Sequence, residues 1–252
     1  MALCELRFFS QTIQKCFGMN VILPTKGRGP WPVFYLLHGL SDDHTIWHRH
    51  TSIERYVAEW PMIIVMPDGL RNFYTNSPLG NFTKYIGEEI PTFIETHFHA
   101  MKSRAGRCIG GLSMGGYGAL RVGLEYPDRF ASLNSHSGAL MHGSKTWPAK
   151  ANAEYNRIFG TRPAGTDHDL LSLAATARRG GGKLPKILLD CGTDDFLIAD
   201  NRAFHARLTA MRIEHQYAEY PGAHTWAYWD QHVREALAFH GKNLKLKHLP
   251  PG

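Results

Sequence analysis

A serine between glycines, a carboxylate and an imidazole, each placed just after a predicted strand, are the residues of this chain whose types and order could do chemistry. The serine is Ser113, in Gly111-Leu112-Ser113-Met114-Gly115. Residues 107–112 before it read as a strand, and 116–125 after it carry apolar side chains at helical spacing, which predicts strand, tight turn, helix. A serine on so sharp a turn needs neighbours nearly without side chains, and the glycines supply that. Its hydroxyl is a weak nucleophile at neutral pH, so the rest of the chain must provide a base, an orienting carboxylate and donors for an oxyanion. In a chain with 25 glycines among 252 residues the bare motif arises by accident, so its strand and helix context carries the argument.

In open sheets of parallel strands, functional groups gather on loops beyond the carboxyl ends of the strands. The loop after the apolar run 186–191 is Gly192-Thr193-Asp194-Asp195-Phe196-Leu197, and that after 214–219 is Pro221-Gly222-Ala223-His224-Thr225-Trp226. Asp195 is the favoured acid and its neighbour Asp194 the alternative, with one of the two expected to cap the helix that starts near Phe196. His224 is the base; His215 and His232 compete with it, but neither sits on such a loop. The order Ser, acid, His is that of α/β-hydrolases and differs from the orders in two unrelated serine protease folds. A neutral His224 would take the serine proton on one nitrogen and donate to the carboxylate from the other. The backbone N–H groups of Met114 and Leu40 are the expected oxyanion donors, with Gly39 letting the chain approach the substrate. Trp47, His136 and Trp226, with Phe73 and Tyr74, lie on loops that could line the substrate pocket. Asp42, Asp43, His44, His48 and His50 cluster in sequence, but their spacing fits no usual zinc motif and a serine mechanism needs no metal. No metal or other cofactor is expected.

The elements that must position these residues follow from apolar periodicity. Segments 5–10 and 14–23 read as antiparallel strands at a sheet edge, and 33–37, 62–66, 107–112, 130–136, 186–191 and 214–219 as further strands. Helices are predicted over 53–60, 85–98, 116–125, 197–211 and 226–241, with loops at 41–47 and 70–82. Between about 139 and 183 the pattern loosens into a small insertion over one end of the sheet, with helical pieces at 152–159 and 167–178. The alternation predicts an α/β fold: a mostly parallel central sheet covered by helices on both faces, in a single domain over 1–252. Pro250-Pro251-Gly252 reads as a frayed end.

With 43% hydrophobic and 20% charged residues the composition is that of a soluble globular chain and excludes disorder. No apolar run approaches the ~18 residues of a membrane span, and Met1–Arg7 lacks a basic start followed by an apolar core, so the chain reads as cytoplasmic. Cys4, Cys16, Cys108 and Cys191 show no paired spacing and are expected to be free thiols. The net charge of +6 draws on solvated lysines of the tail, Lys242, Lys245 and Lys247. Without a nucleic-acid fold signature, neither nucleic acid nor membrane is an expected partner.

Across nearly its whole length the chain resembles the putative-esterase branch of α/β-hydrolases. That branch contains tributyrin esterases, S-formylglutathione hydrolases (esterase D), feruloyl esterases and mycolyltransferases. The resemblance rests on Asn20-Val21-Ile22-Leu23-Pro24, Tyr35-Leu36-Leu37-His38-Gly39-Leu40-Ser41-Asp42-Asp43, Met66-Pro67-Asp68, Phe73-Tyr74-Thr75-Asn76, Gly111 to Leu120, and Cys191 to Leu197. The wording is most similar to the tributyrin-esterase group. It implies nucleophile Ser113, acid Asp195, base His224, donors Met114 and Leu40, short-chain acyl esters as substrates, and often a homo-oligomer. The expected activity is therefore that of a serine carboxylesterase acting through an acyl-enzyme. Thioesters of the S-formylglutathione type and feruloyl or acetyl-xylan esters are the alternative substrates; a catalytically silent binding protein on the same fold is the rival from another class. Two positions depart from the pattern: Gly110 doubles the glycine before the elbow, and His136 stands where an apolar residue is usual.

Overall fold

The structure is a computed structural model that describes residues 1–148 and 152–249, so the end at 250–252 lies outside the described residues. Its strands are β1 (Ala2–Ser10), β2 (Lys15–Leu23), β3 (Val33–Leu37), β4 (Ile63–Pro67), β5 (Asn76–Ser77), β6 (Gly80–Asn81), β7 (Arg107–Leu112), β8 (Ser132–His136), β9 (Lys186–Gly192) and β10 (Gln216–Tyr220). All but the small β5–β6 hairpin join one sheet in the order β1-β2-β4-β3-β7-β8-β9-β10. β2 pairs antiparallel with both β1 and β4, while every other pairing in this sheet is parallel, so β2 alone runs against the rest.

Every residue of β3 and β4 is buried, because helices cover both faces and leave no solvated side for polar residues. Alternation along β3 sends Val33, Tyr35 and Leu37 to one face and Phe34 and Leu36 to the other. The first face packs α4 (Ile90–His97), α5 (Met114–Glu125), α7 (Leu170–Arg179) and α8 (Ile198–Ala210). The second carries α1 (Ile46–His50), α2 (Ile53–Val57) and α9 (Trp226–Asn243). No helix among the described residues is long and apolar enough to cross a membrane.

Three segments differ from the sequence reading. The expected loop at 41–47 contains the start of α1, because Ile46 and Trp47 are drawn onto the sheet, and the predicted helix over 53–60 stops at Val57. The stretch 70–82 folds into the β5–β6 hairpin and begins the one-turn α3 (Phe82–Lys84). The helix expected from residue 85 opens in π register over Tyr85–Glu89, with the Ile90 N–H donating to the Tyr85 carbonyl, before α4 begins. Pro91 has no N–H to give the α register, which accounts for the handover.

The insertion holds a 3-10 turn at His142–Ser144, α6 (Ala153–Phe159) and α7. Asp169 caps α7 by accepting from the Leu171 N–H at 3.0 Å. Buried Arg121 of α5 reaches Asp167 at 2.9 Å, and the Tyr117 hydroxyl donates to the His168 carbonyl at 2.6 Å. The elbow helix thus fastens the insertion.

Candidate active site

The turn from β7 into α5 puts Ser113 at φ 51° and ψ −115°, the positive-φ backbone that a serine adopts only when its surroundings enforce it. What enforces it is contact. A Cβ on Gly111 would lie 2.6 Å from the Leu37 carbonyl oxygen, and one on Gly115 would lie 2.5 Å from that oxygen and 2.6 Å from that of His38. Only glycine lets the start of α5 press against the end of β3. The Ser113 N–H donates to the His136 carbonyl at 2.9 Å, and its own carbonyl accepts from the Tyr117 and Ala139 N–H groups, both at 3.1 Å.

His224, on the loop after β10, brings Nε2 to 3.1 Å from the Ser113 hydroxyl and Nδ1 to 2.8 Å from Asp195 Oδ2. A carboxylate only accepts, so Nδ1 carries the proton and Nε2 offers its lone pair to the hydroxyl. Asp195 Oδ1 accepts from the Leu197 N–H at 2.8 Å. Burial pushes the Asp195 carboxyl up, but hydrogen bonds from His224 and the Leu197 N–H outweigh it and hold the group below the ordinary carboxylate range. Asp194 is exposed and turned away, its N–H on the Gly222 carbonyl at 2.9 Å. Neither acid caps α8, whose N-cap is Leu197 without a side-chain bond. His215 contacts His205 at 2.7 Å and His232 of α9 stacks on Tyr220 of the strand β10, and neither is bonded to Ser113. Phe196 and Trp229 pack on the His224 ring, with centroids 4.5 and 4.8 Å away.

The loop after β3 is fixed from several directions. Buried His38 donates from Nδ1 to the Gly39 carbonyl at 2.7 Å and accepts at Nε2 from the Gly69 N–H at 2.9 Å. The Tyr74 hydroxyl accepts from the His38 N–H and donates to its carbonyl, at 3.0 and 3.1 Å. Leu40 and Met114 line one cavity with Ser113 and His224, of about 350 Å³. Phe73 and Trp226 line it as expected from the sequence. So do Phe196, Trp229, His142 and Tyr155, which sequence reasoning missed; Phe196 adjoins Asp195, whereas nothing in the insertion's sequence marks His142 or Tyr155. A larger cavity of about 790 Å³ opens past Leu40, Ser41 and Asp42, among Asp68, Arg71, Glu154 and Arg157.

Trp47, His136 and Tyr74 do not line the cavity around Ser113. Trp47 is buried by α1 and donates from Nε1 to the Leu37 carbonyl at 3.0 Å. His136 is fully buried, its Nδ1 at 2.6 Å from Asp190 Oδ2, while Asp190 Oδ1 accepts from the Tyr228 hydroxyl at 2.9 Å. Gly110 makes room for the neighbouring strand: a Cβ there would lie 1.6 Å from Asn134 Oδ1, which faces His240 Nε2 at 2.9 Å. The two departures from the family pattern therefore belong to one buried polar layer between β8 and α9. Among the described residues no group of three or more His, Cys, Asp or Glu is arranged to hold a metal; His48 faces Glu54 at 3.5 Å and His50 packs on Trp226. The cysteines are free thiols.

The strand order, the single reversed strand and a serine at a positive-φ turn define an α/β-hydrolase. The chain belongs to the esterase family described as "Putative esterase", which matches residues 10–240, and it is a carboxylic ester hydrolase. It is 31% identical to an acetyl esterase of Caldicellulosiruptor saccharolyticus over 96% of this chain and 99% of that protein. A fluorophosphonate-binding serine hydrolase of Staphylococcus aureus, FphF, solved with substrate bound, is similar with a TM-score of 0.86 at 32% identity, covering 95% of this chain and 98% of that one. An S-formylglutathione hydrolase of the same organism, FrmB, gives 0.84 at 30% identity over 95% and 98%.

Proposed function

We propose that the protein is a serine esterase for short-chain acyl esters, with Ser113 as nucleophile, His224 as base and Asp195 as the orienting acid. The observation that carries this is the hydrogen-bonded series from Asp195 to His224 at 2.8 Å and from His224 to Ser113 at 3.1 Å, on the wall of a cavity of about 350 Å³. Ser113 Oγ attacks the ester carbonyl as its proton passes to His224 Nε2. The Leu40 and Met114 N–H groups receive the charge that develops on the carbonyl oxygen. The imidazolium, stabilised by ionised Asp195, gives its proton to the leaving alcohol, and an acyl-serine remains. Water deprotonated by His224 then releases the acid. No cofactor enters these steps. The similarity to an acetyl esterase, 31% identical over 96% of this chain, supports short acyl groups.

The test is Ser113→Ala, assayed on p-nitrophenyl acetate to octanoate and for fluorophosphonate labelling. Turnover is expected to fall by about 10⁴- to 10⁶-fold and labelling to vanish, with the unfolding midpoint unmoved. Retained turnover would overturn the assignment. A second reading, thioesters of the S-formylglutathione type, draws on the larger adjoining cavity, which Arg157 lines beside the Arg71–Glu154 ion pair at 2.7 Å. Turnover of glutathione thioesters well above that of simple esters would select it.

A further inference from the structure

The central sheet ends in two edge strands, β1 and β10. An edge strand leaves alternate N–H and C=O groups without a partner, and proteins usually blunt it with lysine, proline, a bulge or short length. β10 is guarded in this way: it has five residues, Arg202 of α8 binds its Glu219 at 2.7 Å, and the His205 ring stacks on its Tyr217 at 4.4 Å. β1 is not. It pairs with β2 residue for residue from Ala2 to Ser10, without a bulge, a proline or a lysine.

Alternation divides β1 into two rows. Cys4, Leu6 and Phe8 are half-buried against the core that packs α4 and α5, with the Phe8 ring 5.1 Å from that of Phe93. Glu5, Arg7 and Phe9 are exposed on the other face, Phe9 at 47%. Neither Glu5 nor Arg7 has an ion-pair partner among the described residues.

We propose that β1 is the docking edge for a second copy of this chain, the two strands pairing antiparallel about a two-fold axis at Leu6. Charge selects that register. A two-fold through the sheet keeps each row on its own face, so the axis must fall at a residue of β1 and the possibilities are few. An axis at Glu5 opposes glutamate to glutamate, one at Arg7 opposes arginine to arginine, and one at Cys4 or Phe8 sets a charge against an apolar residue. An axis at Leu6 sets Glu5 of each copy against Arg7 of the other. It also sets Leu6 against Leu6, Cys4 against Phe8 and Leu3 against Phe9, so the half-buried apolar row continues across the axis. Two charges that deter an apolar strand are thus matched by the same sequence read backwards. The inference is independent of the chemistry at Ser113.

The test is mass in solution, by sedimentation or light scattering, over a dilution series from ~1 to ~100 μM. The wild type is expected to associate to twice the 28.4 kDa of one chain, and Glu5→Arg and Arg7→Glu, each opposing like charges across the axis, should each raise the dissociation constant about tenfold or more. In a mixed dimer of the two variants opposite charges face each other again, so mixing them in equal amounts should restore association to near the wild-type level. A wild type that stays single at every concentration overturns the proposal. So does an assembly that neither variant weakens, since it is seated elsewhere, and so do two folded variants that fail to associate when mixed. Should either variant lose the wild-type circular dichroism, amide exchange in the wild type decides. Exchange in β1 should slow as concentration rises, and β1 amides that exchange at one rate throughout the series overturn the proposal.

Discussion

Two histidine–aspartate pairs sit close together at the carboxyl end of the sheet, and they differ in almost everything except the pair itself. His136 and Asp190 face each other across β8 and β9 at 2.6 Å, and His224 and Asp195 meet on the loops beyond β9 and β10 at 2.8 Å. In both, the second carboxylate oxygen accepts a further hydrogen bond, from the Tyr228 hydroxyl in one and the Leu197 N–H in the other. The remaining imidazole nitrogen separates them. His136 Nε2 is buried without a partner among the described residues, whereas His224 Nε2 reaches a serine hydroxyl and its side chain is 18% exposed. A histidine oriented by a carboxylate is a structural device when a strand holds it between sheet and helix. It becomes available for chemistry when loops bring it to a cavity and to a hydroxyl on a strained turn.

Substitutions that treat the pairs alike should give opposite readouts. His224→Ala is expected to lower kcat on short p-nitrophenyl esters by about 10⁴-fold or more, with the urea midpoint little changed. Asp195→Asn should cost up to about 10⁴-fold, because the amide favours the wrong tautomer of the base. Asp190→Asn should leave kcat within severalfold, and comparable losses from the two asparagines would erase the distinction. His136→Ala strands the Asp190 carboxylate in the interior, so urea unfolding should report a loss of about 3–5 kcal/mol while the folded fraction stays active.

The buried layer also has a pH signature of its own. Burial holds His240 down to about 3, helped by neighbouring His136, whereas a histidine in the unfolded chain titrates near ~6.5. As pH falls below that value the unfolded chain takes up a proton that the native state refuses. The stability from a neutral His240 is thus complete above pH ~6.5 and declines toward pH 3, by about 3 kcal/mol at pH 4.5. Urea midpoints measured over that range should fall less steeply in His240→Gln; identical slopes would contradict the reading. The smallest effect is expected at the rim of the His224–Asp195 pair. Phe196, 75% exposed, should on replacement by Ala reduce kcat a few-fold without moving the melting temperature.

The parallel core strands were legible because burial on both faces leaves unbroken apolar runs such as Val33–Leu37. Ser113, Asp195 and His224 stood out for a related reason: each follows a strand, and strand ends point to one edge of the sheet. Choosing between Asp194 and Asp195 depended on which way consecutive side chains of a loop turn, which no periodicity encodes. Trp47 and His136 were misread as pocket residues from their places near strand ends. A short helix rolls Trp47 onto the sheet, and β8 continues through His136, so its side chain lies under α9. His142 and Tyr155 were invisible because the insertion has no regular spacing from which to tell an inward side chain from an outward one.

At Gly115 the first turn of α5 and the tail of β3 approach so closely that a single methyl would not fit between them. The opening that would admit a carbonyl oxygen is therefore dimensioned by an omitted carbon, not by any side chain that reaches toward the ligand. A larger residue there would act as a shim, spreading the segments that carry Leu40 and Met114 and, on the proposed mechanism, loosening the hold on the oxyanion.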